Sequence, residues 1–382
     1  MSPDVATDGT GLVLLCPGPV MLSAGVRAAL AAGGIGHRDV RFSEIVARLR
    51  RNCASVLGAG ADHSVVFVTG PATAGVEAAC ASLVPPGGVV IVPVNGTFGA
   101  RIADIVGVHG IRCVPVDFGF GQPIDLARLE AAMLECRGAE FAAVALTHHE
   151  TSSGLLNPVA AVGVLARRHG LRTIVDATSS AGAEDLDLVR DQVDVCITSS
   201  GKCLHAAPGI AIVAARRDLL AARAPFPPRS YALDLVRHHQ QIEANSQTPF
   251  TPAVPLIVAL DRAVTELLAQ GVAARRATYV RRRAFIAAGL RRLGLPFLHH
   301  AEDGEACSIL TVAVPDPFGF DAFFRAMRAR GYLVYGAKPP LAPRYFQLSV
   351  MGELSDADLA GFLVALESVL ADAGALRRAA TA

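Results

Sequence analysis

Between about residue 60 and residue 215, short and nearly unbroken apolar runs alternate with longer stretches whose apolar positions recur every three or four residues. The runs Ser64–Thr69, Val89–Val94, Arg112–Val116, Phe141–Leu146, Arg172–Val175, Val193–Thr198 and Ile210–Ala214 are rich in Val and Ile and predict strands. The Ala-rich stretches Gly75–Leu83, Gly99–Val106, Leu126–Leu134 and Val159–Arg168 predict the helices between them. A strand with no polar alternation has both faces covered. The pattern therefore predicts an α/β large domain on a mostly parallel, seven-stranded sheet with helices on both sides.

Past Arg223 the rhythm breaks, and a segment rich in Pro, His and Gln runs to Thr251. Helical spacing then returns and predicts one long helix over about Pro255–Leu293. Its pairs and triplets of arginine (Arg275, Arg276, Arg281, Arg282, Arg283) read as a solvated face with snorkelling stems. A second unit follows, with strands near Cys307–Val314, Tyr332–Val334 and Tyr345–Val350, a helix near Asp321–Arg330 and a last helix from Asp356. The expected division is a large domain over 1–255 with its N-terminal segment, a connecting long helix over 256–296, and a small C-terminal α+β domain over 297–382.

Composition narrows the functional classes. With 52% hydrophobic and 18% charged residues, the chain can bury a large core, which argues against disorder. A net charge of +1 provides no electrostatic footprint for nucleic acid. No run of about 18 apolar residues occurs, so no membrane span is expected. The opening residues lack a basic flank and an apolar signal core. Eight dispersed cysteines without CxxC spacing suit reduced thiols in a cytoplasmic protein, and neither a disulfide framework nor a metal site is expected.

Lysine is the informative residue. Only Lys202 and Lys338 occur, against 33 arginines. A guanidinium stays protonated and cannot form an imine, whereas an amine can lose its proton and attack a carbonyl. Lys202 follows a strand-like run, and Asp176 ends another such run upstream. An acidic residue there sits where α/β sheets bind ligands, and could equally cap the next helix. An imine-forming lysine and a buried acid together suggest pyridoxal phosphate, whose ring nitrogen needs an anion beside it. Lys338, in a Pro-rich stretch, reads as a loop lysine. Gly70 to Gly75, containing Ala72 and Thr73, follows a strand and opens a helix, which suits a phosphate as well as a simple cap. Phe98 closes a strand where an aromatic ring could lie on a pyridine or merely fill the core.

Seven motifs occur in one order: Leu15-Cys-Pro-Gly-Pro-Val, Gly36-His-Arg-Asp, Asn95-Gly-Thr-Phe-Gly, Thr147-His-His-Glu-Thr-Ser-Ser-Gly, Val175-Asp-Ala-Thr-Ser-Ser, Ser199-Ser-Gly-Lys-Cys and Phe250-Thr-Pro. Together they resemble the class V, fold type I aminotransferases over nearly the whole chain, most closely the branch acting on 2-aminoethylphosphonate and pyruvate. The resemblance implies that Lys202 holds pyridoxal phosphate as an aldimine and moves the proton. It implies that Asp176 pairs with the ring nitrogen, that Phe98 stacks on the ring, and that Ala72, Thr73 and Ser199 bind the cofactor. Glu150 and Thr151 would border it, and Thr251 would reach the phosphate from the other subunit of a homodimer. Arg38 or Arg344 would serve the phosphonate.

Three departures stand out. Pro71-Ala72-Thr73 occupies a turn that is usually Ser-Gly-Thr, Gly201 precedes the lysine where Asn or Gln is usual, and Gln347 replaces the arginine that grips a substrate carboxylate. Gln cannot form a bidentate cationic fork. The expected activity is therefore transamination from an aminophosphonate or small amine to a pyruvate-like keto acid, with a lyase acting on a hydroxylated aminophosphonate as the alternative. A third reading is an inactive binding protein, which the retention of Lys202 and Asp176 disfavours.

Overall fold

A computed structural model of the chain describes residues 11–136, 138–298 and 304–374. Seven strands form the central sheet: β1 (His63–Thr69), β2 (Val89–Val94), β3 (Arg112–Asp117), β4 (Ala142–Thr147), β5 (Arg172–Asp176), β6 (Val195–Ser199) and β7 (Ile210–Arg216). Their order across the sheet is β1-β7-β6-β5-β4-β2-β3. Every neighbouring pair is parallel except those of β7, which runs antiparallel to both β1 and β6. All seven predicted strands are present. The antiparallel insertion of β7 was not predicted, because apolar runs carry no direction.

Register places the chemistry. Thr147 pairs with Asp176, which pairs with Ile197, so the ends of β4, β5 and β6 finish at one edge of the sheet. The helices Ala72–Leu83 and Thr97–Val108 start at that same edge, immediately after β1 and β2. Ligands of open α/β sheets bind at such carboxyl ends.

The predicted long helix is two helices, Val254–Gln270 and Val272–Arg292, broken at Gly271. Gly271 adopts φ +88°, which any side chain would oppose. The break lets each helix serve a different core. Ile257, Leu260, Val264 and Leu267 of the first pack into the large-sheet cluster. Tyr279, Ile286 and Leu290 of the second join a separate cluster with Phe323, Phe346, Phe362 and Leu366. Nor are the arginines of the second helix simply a solvated face. Buried Arg275 donates to the Cys203 carbonyl at 2.9 Å, and Arg282 donates to the carbonyls of Val350 and Gly352 at 3.2 and 3.1 Å.

The second cluster surrounds a three-stranded antiparallel sheet in which Tyr345–Ser349 lies between Ile309–Ala313 and the short strand Tyr335–Gly336. The N-terminal segment belongs to this body. Val13–Leu14 pairs in parallel with Tyr332–Leu333, and the Leu15 carbonyl accepts from the Ser349 amide at 2.9 Å. All eight cysteines are free, and Cys113 alone is not buried. No helix among the described residues is long and apolar enough to cross a membrane.

Candidate active site

Lys202 lies in a tight loop between β6 and β7. Ser200 ties that loop together: its amide donates to the Ile210 carbonyl at 3.0 Å and its hydroxyl to the Ala207 carbonyl at 2.6 Å. Gly201 is needed here for close packing, because a Cβ would meet the Cα and Cβ of Pro208 at 2.8 Å. That explains the small residue before the lysine. The Lys202 Nζ donates to the Pro17 carbonyl, and a Cβ on Gly18 would meet Lys202 Cδ, Cε and Nζ at 2.9 Å. Gly18, with φ +121°, lets the N-terminal segment close over the amine. Burial lowers the amine's pKa from its ordinary value, because the charged form loses hydration.

A cavity of about 280 Å³ opens beside the amine. Ala72, Thr73, Phe98, Thr151, Asp176, Ser199 and Lys202 all line it, so seven of the sequence-predicted residues meet at one place. Asp176 ends β5 with its carboxylate toward the cavity. Burial raises its pKa, while the Thr178 hydroxyl and amide, and then the cations of Arg101 and Lys202, oppose the rise. The helix Ala72–Leu83 starts at the cavity with no side-chain cap, leaving its first amides and the Thr73 hydroxyl to an anion.

Five predicted residues lie outside this lining. Glu150 is fully buried and receives the amides of Phe98 and Gly99 at 3.1 and 3.0 Å, with the Ser152 hydroxyl donating to it as well. It caps the helix that carries Phe98 and so orients the aromatic wall; it does not border the cavity itself. Arg38 is spent on the carbonyls of Thr248 and Pro249 and on the Gln247 side chain. Arg344 is exposed just before its strand, on the other side from buried Gln347. Thr251 is exposed and does not line the cavity. Gln347 lies behind the lining, where its Nε2 donates to the carbonyl of Thr151.

Of the lining residues to which the sequence reading gave no role, Arg101 and His149 stand out. Arg101 reaches back from the third position after Phe98 to lie over that ring, 4.7 Å from its centroid, with Nη1 3.4 Å from the Thr73 hydroxyl. One arginine among 33 gave no signal, although a Phe and an Arg three apart on a helix share a face. His149 is the other. Its Nδ1 donates to the Ser179 carbonyl at 3.1 Å, and its Nε2 has no partner among the described residues.

These features fit pyridoxal phosphate: a low-pKa amine, a buried acid, an uncapped helix start with a basic side chain, and a flat wall. The description of the class V aminotransferases matches residues 25–321. The chain belongs to that family, and is an enzyme of fold type I. It is 35% identical to the 2-aminoethylphosphonate–pyruvate transaminase of Burkholderia ambifaria (strain MC40-6), covering 95% of this chain and 96% of the relative. It is likewise 35% identical to 2-aminoethylphosphonate–pyruvate transaminase 1 of Polaromonas sp. (strain JS666 / ATCC BAA-500), covering 96% and 98%. The crystal structure of alanine–glyoxylate aminotransferase from Nostoc sp. superposes with a TM-score of 0.88 at 25% identity, covering 97% of each chain.

Proposed function

We propose that the protein is a pyridoxal phosphate-dependent transaminase that takes the amino group of 2-aminoethylphosphonate, or a related aminophosphonate or small amine, and delivers it to a pyruvate-like keto acid. The observation that carries this reading is the presence of the Lys202 amine and the Asp176 carboxylate in one enclosed cavity. The full-length similarity to transaminases of that name supports the substrate class.

When bound, pyridoxal phosphate supplies an aldehyde that captures an amine and an electron-poor ring that takes up the electrons left when a proton departs. The chain's own residues do the rest. Lys202 is the residue that holds the cofactor and then, freed by the incoming amine, moves the proton from the carbon bearing nitrogen. Its lowered pKa suits both tasks. Asp176, whose pKa burial raises, would be held as the anion by a cationic ring nitrogen beside it. The amides of Ala72 and Thr73, the Thr73 hydroxyl and Arg101 hold the phosphate dianion, with Arg101 supplying the donor that Pro71 and Ala72 cannot. Phe98 walls the ring, and Ser199 closes the floor.

The protein works as a homodimer in this reading, with Thr251 of each copy completing the other's phosphate site. Exposed Tyr231, packed 5.7 Å from Phe250, supports an interface on that face. The free, mostly buried thiols support a cytoplasmic setting. Gln347 favours the second reading, elimination from a hydroxylated aminophosphonate, because a lyase needs no grip on a keto acid's carboxylate. Absorbance spectra separate the two. A transaminase given amine alone converts one cofactor per site and stops until a keto acid is added. Continuous turnover without keto acid would establish the lyase, and a colourless protein that borohydride fails to modify at Lys202 would refute both.

A further inference from the structure

One imidazole in the cavity wall has only half of its hydrogen-bonding capacity used. His149 lines the cavity, and its Nδ1 lies 3.1 Å from the Ser179 carbonyl. A carbonyl only accepts, so Nδ1 carries the ring proton and Nε2 presents a lone pair. That Nε2 is buried and has no partner among the described residues. Buried acceptors are rarely left unmade, so this one calls for a ligand that brings a hydrogen with it.

The imidazole is held beside the reactive amine. The Ser179 carbonyl that fixes it also accepts from the Cys203 thiol at 3.3 Å, and Cys203 adjoins Lys202. Thr147, two residues before His149, pairs in register with Asp176 and lines the same cavity. His149 is thus pinned between the loop that follows Asp176 and the loop that carries Lys202. The charged and titratable groups around it are Glu184, His148 and Lys202. Burial lowers its pKa to about 4 and keeps the ring neutral at pH 7; Glu184 opposes the shift, while His148 and Lys202 add to it. The Cys203 thiol, pushed up to about 12 by burial, is uncharged as well.

A neutral lone pair sorts anions by whether they still carry a proton. A carboxylate at neutral pH has lost its only hydrogen and would set oxygen against nitrogen. A phosphate-type oxyanion gives up its second proton only near about pH 6, so it can enter as a monoanion with one P–O–H group left to donate.

We propose that His149 selects amino donors bearing a phosphonate, its Nε2 accepting the hydrogen of the monoanionic head group. The assignment rests on the aminophosphonate reading above and adds the side chain that recognises that head.

The test compares ethylphosphonate with ethanesulfonate, which has the same tetrahedral head and no hydrogen to give. Binding of each to the holoenzyme, whose cofactor already fills the phosphate site, is measured by calorimetry. The native holoenzyme is expected to bind ethylphosphonate at least about tenfold more tightly than ethanesulfonate. Its affinity for ethylphosphonate should also rise as pH falls from about 8 to about 6, because the monoanion is the form bound, with no matching rise for ethanesulfonate. In His149→Asn the amide can still donate to the Ser179 carbonyl, but nothing stands in for Nε2. The preference is then expected to fall to about twofold or less, with the cofactor's absorbance band as the check on folding. If the variant loses that band, the native comparison and its pH dependence decide alone. Equal binding of the two anions by the native holoenzyme, or a preference that survives in folded His149→Asn, overturns the His149 assignment alone. A native holoenzyme that neither binds ethylphosphonate nor converts 2-aminoethylphosphonate overturns the substrate reading and this assignment together.

Discussion

The two walls of the cavity are built differently. One consists of the ends of β4, β5 and β6 and two helix starts, with Asp176, Thr73, Phe98 and Lys202 fixed by register and by buried hydrogen bonds. The other, set behind the lining, is a three-stranded sheet whose central strand carries Gln347, which donates to the carbonyl of the lining residue Thr151, and whose edge leads into an exposed turn. The first wall keeps nearly every residue that the family resemblance implies, while the second has lost the implied arginine. Cofactor chemistry needs groups held within fractions of an ångström, which a sheet edge in a dry core provides. Choice of substrate needs only complementary charge and shape at the entrance, and that can change without disturbing the core.

The sharpest break between the walls is Lys202→Ala. Turnover should fall on the order of 10³-fold or more, because both the covalent hold and the proton carrier are lost. Retention of a tenth of the native rate in a steady-state assay would mean that the chemistry lies elsewhere.

Next in size is an effect of pH on stability. Burial pushes the imidazoles of His148 and His149, on the large-sheet side, down to about 4. Between an ordinary value near 6.5 and 4, the unfolded chain takes up protons that the folded chain refuses. The contribution is therefore complete above about pH 6.5 and is lost as pH falls toward 4, at about 3 kcal/mol per histidine. Denaturant midpoints measured from pH 7 to pH 4.5 should show the decline, and His149→Asn should remove about half of it. An unaltered slope in that variant would exclude His149 as a source.

The smallest effect tests the second wall. Gln347→Arg should raise kcat/KM for pyruvate about tenfold by supplying a charge-assisted grip. A native enzyme already as efficient with pyruvate as the variant would show that the missing arginine does not matter.

Much of the first wall was legible in the chain, and much of the second was not, for physical reasons. An unbroken apolar run ending in Asp176, or in Ser199 three residues before Lys202, announces both a buried strand and its functional end. Contacts made by a charged side chain across long sequence separations carry no such pattern. Arg38 was expected at the phosphonate and instead binds carbonyls 210 and 211 residues away. Glu150 was expected at the cofactor and caps a helix start 51 and 52 residues upstream. Gly271 was one glycine in a long helical pattern, and only the two separate cores reveal why the helix must stop there. Gln347 was conspicuous as a departure, yet its register opposite Tyr335 depends on a pairing of strands that periodicity cannot supply.

The Pro17 carbonyl that accepts from Lys202 belongs to a segment clipped to strands near residues 333 and 349. The amine in mid-chain therefore acquires its dry surroundings only after the beginning of the sequence has met its far end. A large sheet that has already formed would still present a wet, fully protonated lysine until that closure. Competence is thus a late product of folding, since contacts so distant along a chain are the slowest to establish. Loosening this one clasp would silence the enzyme while its secondary structure stayed intact.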